Sequence, residues 1–185
     1  MTEMAADATA LEGRARADTV RRAAEGDEAA FQRLVSVYHA SMARVAFVVC
    51  GDVDVARDAT QSAWGKAWQR LGSLRDPEQV GAWLITIAGN EARQAMRGRR
   101  AHPVVDISVL LERASSPEQR DVAELVDLQR ALAGLRAEDR QLLALRFVAG
   151  LDATEIARLL GGSPSGVRSR LARLIERLRR DLSHA

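Results

Sequence analysis

A single cysteine, Cys50, among 185 residues excludes an internal disulfide framework and any multi-cysteine metal site, and points to a reducing compartment. Only seven aromatics are present, and no apolar run approaches 18 residues, so no membrane span is expected. Glycine and proline are too scarce for a collagen-like or low-complexity chain. The opening MTEMAADATALEGRARAD lacks the basic-then-apolar order of a secretory leader, and a cytoplasmic location is expected. Enzyme chemistry finds no foothold either. His39, His102 and His184 are scattered, Cys50 has no adjacent base, and there is no glycine-rich phosphate loop or metal-spaced cluster. The expectation is therefore no catalysis, no cofactor and no metal.

What remains is apolar and basic. At 47% hydrophobic and 28% charged the chain can bury a core. Lys66 is the one lysine among 27 basic residues, a bias that codon usage alone can produce, so distribution says more than content. The formal charge of +2 divides as 0 over 1–22, −2 over 23–96, +3 over 97–103, −2 over 104–122, −1 over 123–161 and +4 over 162–185. Two basic blocks on a near-neutral body suggest two contacts with a polyanion.

Periodicity is helical throughout. Residues 1–22 are alanine-rich and read as a frayed tail or a weak helix. Asp27 is a candidate N-cap for a helix carrying Phe31, Leu34, Val35, Tyr38, Met42, Val45 and Val49, which Gly51 ends. A second helix starts at Asp52 or Asp54 and runs to Leu71, with Ala59, Ala63, Ala67 and Leu71 on one stripe. Asp76-Pro77 opens a third, through Leu84, Ile87, Ala88 and Ala95 to Arg97. Residues 101–122 break the pattern with Pro103, Pro117 and Ser115-Ser116, as a linker would. Four further helices follow at about 122–134, 137–148, 152–160 and 164–181, with Ser163 and Pro164 starting the last. No alternating β-branched segment occurs, so the fold class is all-α: two small helical domains on a flexible linker. The division is a 1–22 tail, a 23–100 domain, the 101–122 linker and a 123–185 domain.

A short helix, a glycine-containing turn and a longer arginine-rich helix form the pattern of a helix-turn-helix. On the last helix Val167, Leu171, Leu174 and Leu178 share one face. Opposite lie Ser165, Ser169, Ala172 and Arg173, with Arg168 and Arg170 on the shoulders. Small residues admit a groove and arginine can bridge guanine O6 and N7. A solvated helix with codon-supplied arginine is the other account of the charges; the opposed core stripe and the turn favour DNA. The basic run Arg97-Gly98-Arg99-Arg100 can complement a helix C-terminus, but three cations in four residues ask for a polyanion or a partner. Upstream, Trp83, Ile87, Asn90, Gln94 and Arg97 share a stripe with polar groups able to meet base edges, beside Arg93. Taken alone, that stripe reads as an ordinary mixed face ahead of a nucleic-acid surface. Trp64, Trp68 and Trp83 read first as core anchors.

Two stretches, in this order and spacing, resemble the extracytoplasmic-function (group IV) sigma factors of bacterial RNA polymerase. DATQSAWGKAWQRL (58–71), AWLITIAGN (82–90) and RGRR (97–100) are similar to sigma region 2. LRAEDRQLLALRFVAGLDATEIARLLGGSPSGVRSRLARLIERLRR (135–180) is similar to region 4, most tellingly at Glu155-Ile156-Ala157 and Val167 to Leu171. The resemblance implies a promoter-specificity subunit with no catalysis of its own. It implies that Asp58, Gln61 and Trp64 dock on the β′ clamp of core RNA polymerase and that region 4 meets the β flap. Trp83, Asn90, Arg93, Gln94 and Arg97 would then meet the −10 element and help melt it, with loop 72–79 helping to choose a flipped base. Arg168, Ser169, Ala172 and Arg173 would lie in the major groove of the −35 element, with Ser165 and Arg170 nearby. It further implies an anti-sigma partner, and that the two domains can pack together and hide their DNA faces. Three positions depart from the family: Ser62 stands where an acidic residue is usual, Gly162 where the turn carries an apolar residue, and Gly166 where threonine is common. Each glycine costs up to ~1 kcal/mol, so a looser region 4 is expected. A stand-alone helix-turn-helix regulator and a purely protein-binding adaptor are the rival functions. The first has no need of residues 58–68, and the second none of the arginines of 168–173.

Overall fold

Local signals start and stop the helices where the sequence places them. The computed structural model describes residues 2–97 and 122–183, and among these every regular element is helical. The first element, α1 (Thr2–Ala24), covers the segment read as tail or weak helix, and its last turns bury Val20 and Ala23 in the core. Helix α2 (Glu28–Cys50) begins at Asp27, whose carboxylate accepts the Ala30 N–H at 3.0 Å and the Arg22 Nε–H at 2.9 Å. The Ala30 N–H, then Arg22, holds the Asp27 carboxyl below its ordinary range. Gly51 ends α2 in the left-handed conformation, φ 72°, its N–H returning to the Phe47 carbonyl at 2.7 Å.

Helix α3 (Val53–Arg70) is capped by Asp52 and turns its alanine stripe inward: Ala56, Ala59, Ala63 and Ala67 are all buried. Such small side chains let it lie close against α2 and α4 (Val80–Ala95). Two 3-10 turns, Leu71–Ser73 and Pro77–Gln79, bridge α3 to α4. The third predicted helix therefore opens as a 3-10 turn capped by Asp76, and becomes α-helical only at Val80. Together α1 to α4 close a bundle around Leu34, Met42, Val45, Val49, Val80, Leu84 and Ala88. Of the described helices only α2 is long and apolar enough to cross a membrane by composition, with a mean hydropathy of 1.2 over its best window. It passes because it is the bundle's central helix, packed by α1, α3 and α4. Residues 98–100 of the basic run and 101–121 of the linker lie outside the described residues.

The second bundle holds α5 (Val122–Ala133), α6 (Ala137–Leu143), α7 (Ala153–Leu160) and α8 (Pro164–Ser183). The stretch read as one helix over 137–148 is α6 followed by a π-helical turn, Ala144–Val148, in which the Ala149 N–H reaches back five residues to the Ala144 carbonyl at 3.0 Å. Asp152 caps α7 through the Thr154 and Glu155 N–H groups at 2.7 and 2.8 Å, while Glu155 accepts the Asp152 N–H at 2.7 Å, a complete capping box. The two bundles touch: α6 and the π turn pack on α2, and α6 and α7 pack on α4.

Candidate nucleic-acid interface

The turn between α7 and α8 decides how the last helix is presented. Gly161 and Gly162 both sit at positive φ, 78° and 121°, a region that side chains other than hydrogen avoid. A Cβ at 162 would meet nothing within 4 Å, so backbone conformation and not crowding explains glycine where an apolar residue was expected. The Ser163 hydroxyl then accepts the Gly166 N–H at 3.1 Å, starting α8 as its N-cap. That hydroxyl would lie 3.1 Å from a Cβ at 166, so Gly166 leaves room for the cap.

From this start α8 turns Leu171 and Leu174 inward, with Val167 and Leu178 packed beside them. Ser165, Arg168, Ser169, Arg170, Ala172 and Arg173 are all exposed on the remaining circumference. Their freedom differs. Arg170 is held by Asp139 on α6 at 2.7 and 2.9 Å, and Arg173 Nε donates to the Ser169 carbonyl at 3.3 Å. Arg168 pairs with no carboxylate among the described residues. Arg136, Arg173, Arg177 and Arg180 line one shallow groove beside the helix, which gathers positive charge along one side of α8.

The α4 stripe is arranged differently. Trp83 and Ile87 are half-buried against the first core, and Gln94 and Arg97 are exposed. Asn90, between them, is half-buried, and its Oδ1 accepts a hydrogen bond from Gln141 Nε2 on α6 at 3.0 Å. Arg93 lines a cleft of about 260 Å³ between the bundles, with Glu138, Gly162, Ser163 and Arg170 on the opposite wall. The structure therefore brings Arg93 and Arg170 to one cleft and engages the half-buried Asn90 with Gln141. Loop 71–79 is braced from outside by α1, where Arg16 pairs with Glu78 at 3.2 Å.

On α3, Asp58 and Gln61 are exposed and Trp64 is half-buried. Trp64 stands edge-on to Phe31 at 5.4 Å and donates its indole N–H to His39 Nδ1 at 3.2 Å; Trp68, 41% exposed, is edge-on to the same ring at 4.8 Å. The tryptophans thus form an aromatic seam between α2 and α3 that reaches the surface. Ser62, the departure on this face, donates to Glu91 Oε2 at 2.8 Å, and Lys66 Nζ meets Glu91 Oε1 at 2.6 Å. An acidic residue at 62 would face that half-buried carboxylate, so serine suits its neighbour on α4.

Sequence reasoning missed Arg140 and Gln141. Arg140 is 3% exposed and donates from Nε to the Val49 carbonyl at 2.7 Å and from Nη1 to Leu135 O at 3.0 Å. Burial pushes its guanidinium below the ordinary arginine range.

Known proteins share this arrangement. Residues 34–102 match the family model for sigma-70 region 2, and residues 125–178 that for sigma-70, region 4. The chain is 31% identical over 168 residues to the probable RNA polymerase sigma factor RfaY of Xanthomonas campestris pv. campestris, an alignment spanning 86% of this chain and 42% of that longer protein. It is 31% identical over 173 residues to the ECF RNA polymerase sigma-E factor of Escherichia coli K12, covering 85% of this chain and 88% of the relative. Its fold is similar to the sigma factor RpoE of Bartonella quintana, solved in complex with the anti-sigma factor NepR, with a TM-score of 0.63, 25% identity and coverage of 83% of this chain and 96% of that one. With both region models in order and near full-length likeness to sigma-E, the chain belongs to the ECF RNA polymerase sigma factors, DNA-binding proteins of transcription initiation.

Proposed function

We propose that this chain is a group IV sigma factor that binds core RNA polymerase in the bacterial cytoplasm, carries it to promoters by reading a −10 and a −35 element, and assists melting while catalysing nothing itself. The observation that carries the reading is the two-faced α8. Its apolar stripe is glued to α7 and α5, and Ser165, Arg168, Ser169, Ala172 and Arg173 are left outward at the end of a glycine-built turn. In that position Arg173 addresses a base edge, Arg168 and Arg170 address phosphates, and Ser165 and Ala172 admit the groove wall.

Asn90, Gln94 and Trp83 of α4, flanked by Arg93 and Arg97, form the −10 reader, with loop 72–79 helping to select a flipped base. Flipping costs a few kcal/mol, so a surface that holds the displaced strand shifts the duplex toward melting. Asp58, Gln61 and the Trp64 seam form the polymerase face that meets the β′ clamp, while the second bundle meets the β flap. An anti-sigma protein is a further partner, supported by the NepR-bound relative. Domain limits of 23–100 and 123–185 accompany this division of labour.

Transcription reconstituted from bacterial core polymerase, this chain and a library of promoter fragments tests the proposal. Transcripts starting at a shared pair of elements are expected, and Asp58→Ala with Gln61→Ala should abolish them without weakening duplex binding. Sequence-specific binding by the chain alone, with no dependent transcript, would identify a stand-alone regulator instead.

A further inference from the structure

Gln141 is polar, 1% exposed, and placed on the residue that the −10 reading needs free. Its Nε2 donates to Asn90 Oδ1 at 3.0 Å. Beside Asn90, Gly89 leaves the space the amide fills: a Cβ there would stand 3.0 Å from Gln141 Nε2, 3.2 Å from Cγ and 3.4 Å from Cδ. The adjacent Arg140 fastens the same helix to the carbonyl end of α2 through Val49 O at 2.7 Å. No carboxylate pairs with it among the described residues, so the charge is met by carbonyls and by the negative end of the α2 dipole. A buried amide on a glycine-made notch, anchored by a buried cation one residue away, is a specific seat and not an incidental contact.

The chemistry of that seat is the chemistry of a base edge. A primary carboxamide offers an amino donor beside an oxygen acceptor; adenine offers N6–H₂ beside N7, the pair that asparagine reads. On the reading of Asn90 proposed above, we propose that Gln141 is an intramolecular surrogate for an amino-bearing base: its carboxamide occupies the Gly89–Asn90 notch until a single DNA strand displaces it. Strand binding at Asn90 and packing of α6 on α4 are then mutually exclusive. By linkage, a strand that binds only the separated form opens the molecule, and whatever loosens Gln141 raises strand affinity by the same factor. Opening is selective, because thymine carries no exocyclic amino group to replace the Gln141 donor.

The full-length chain can be titrated with fluorescent single-stranded oligonucleotides identical except for adenine or thymine at one position, with anisotropy reading affinity and small-angle X-ray scattering reading size. The wild type should expand on binding the adenine strand and stay compact with the thymine strand. Gln141→Met keeps the volume and removes the donor. Gly89→Ala pushes the amide away while leaving both amides intact and favouring the helix. Each should tighten adenine-strand binding about two- to tenfold, the range of one hydrogen bond, and Asn90→Ala should cancel the gain in either background. Unchanged affinity in both Gln141→Met and Gly89→Ala, with Asn90→Ala weakening every background, would overturn the surrogate and leave Asn90 as a reader. Indifference to Asn90→Ala in all backgrounds would overturn both.

Discussion

The first bundle packs chiefly on itself, whereas the second shares much of its core with its neighbour. Met42, Val45, Leu84 and Ala88 are fully buried among α1 to α4. In the second half the most enclosed residues include Gln141, Ala144 and Leu145, all on the segment that packs against α2 and α4. The proposed reading faces follow the opposite order. The outward face of α8 is open, and Asn90 of the first bundle is half-buried and bonded to Gln141. The proposed site of the first half is thus engaged by its neighbour, and that of the second half is exposed. On the proposed function, such a molecule meets one DNA element before it releases the other face.

Truncating the cores is the strongest attempt to break this contrast. Leu84→Ala and Ile156→Ala each remove a fully buried side chain, and each should cost about 2–5 kcal/mol. All three tryptophans lie in the first bundle, so their fluorescence follows that half, and far-ultraviolet circular dichroism follows both. In Ile156→Ala the circular dichroism transition should fall further than the tryptophan transition. Equal shifts would mean that the two halves unfold as one unit.

The open face is probed next. Arg173→Ala should lose ~1–3 kcal/mol of preference at a single −35 position, measured by competition binding of the polymerase complex across a promoter library. If every sequence weakened alike, Arg173 would be a phosphate contact, and the base-reading role would pass to another residue of α8.

Much of this architecture was legible because its causes are local. Asp27 and Gly51 bound α2 through their own hydrogen bonds, and the Ala59, Ala63, Ala67 repeat buries as its spacing requires. The faces of α8 likewise follow from Val167, Leu171, Leu174 and Leu178. Arg140 and Gln141 were illegible for the converse reason. Nothing in AEDRQLL separates a buried arginine from a solvated one; only the arrival of the α2 carbonyls and of Asn90, far away in sequence, assigns their partners. Ser62 with Glu91 is the same case across helices, and the π turn at 144–148 keeps an apolar pattern that an α-helix would share.

Acid should separate the halves more gently than mutation. The Glu155 and Thr154 N–H groups hold the Asp152 carboxyl below its ordinary range. A lowered folded-state pKa contributes stability that is present above the unfolded aspartate value and lost as pH falls through the folded one. The Asp27 cap has the same sign. Stability should therefore decline below the ordinary aspartate range, and Asp152→Ala should flatten that decline in circular dichroism melts while tryptophan melts keep the part due to Asp27. An unaltered acid limb in Asp152→Ala would assign the pH dependence elsewhere.

The smallest effect concerns the brace between α1 and loop 71–79. Arg16 and Glu78 keep 40% and 50% of their side-chain surface exposed, so their pairing at 3.2 Å should be worth ~0.2–1 kcal/mol at low salt and almost nothing at 1 M. A double-mutant cycle of Arg16→Ala and Glu78→Ala, read by tryptophan melts, measures that coupling apart from other losses. Gly13 adds a steric check, because a Cβ there would come within 3.1 Å of Glu78 Oε1. If the brace is merely electrostatic, Gly13→Ala should displace Glu78 at little cost, and high salt should erase the coupling. A coupling that survives salt, with Gly13→Ala as damaging as Arg16→Ala, would mean that packing sets the position of the loop. Helix α1, already part of the first bundle's core, would then also fix the loop by packing.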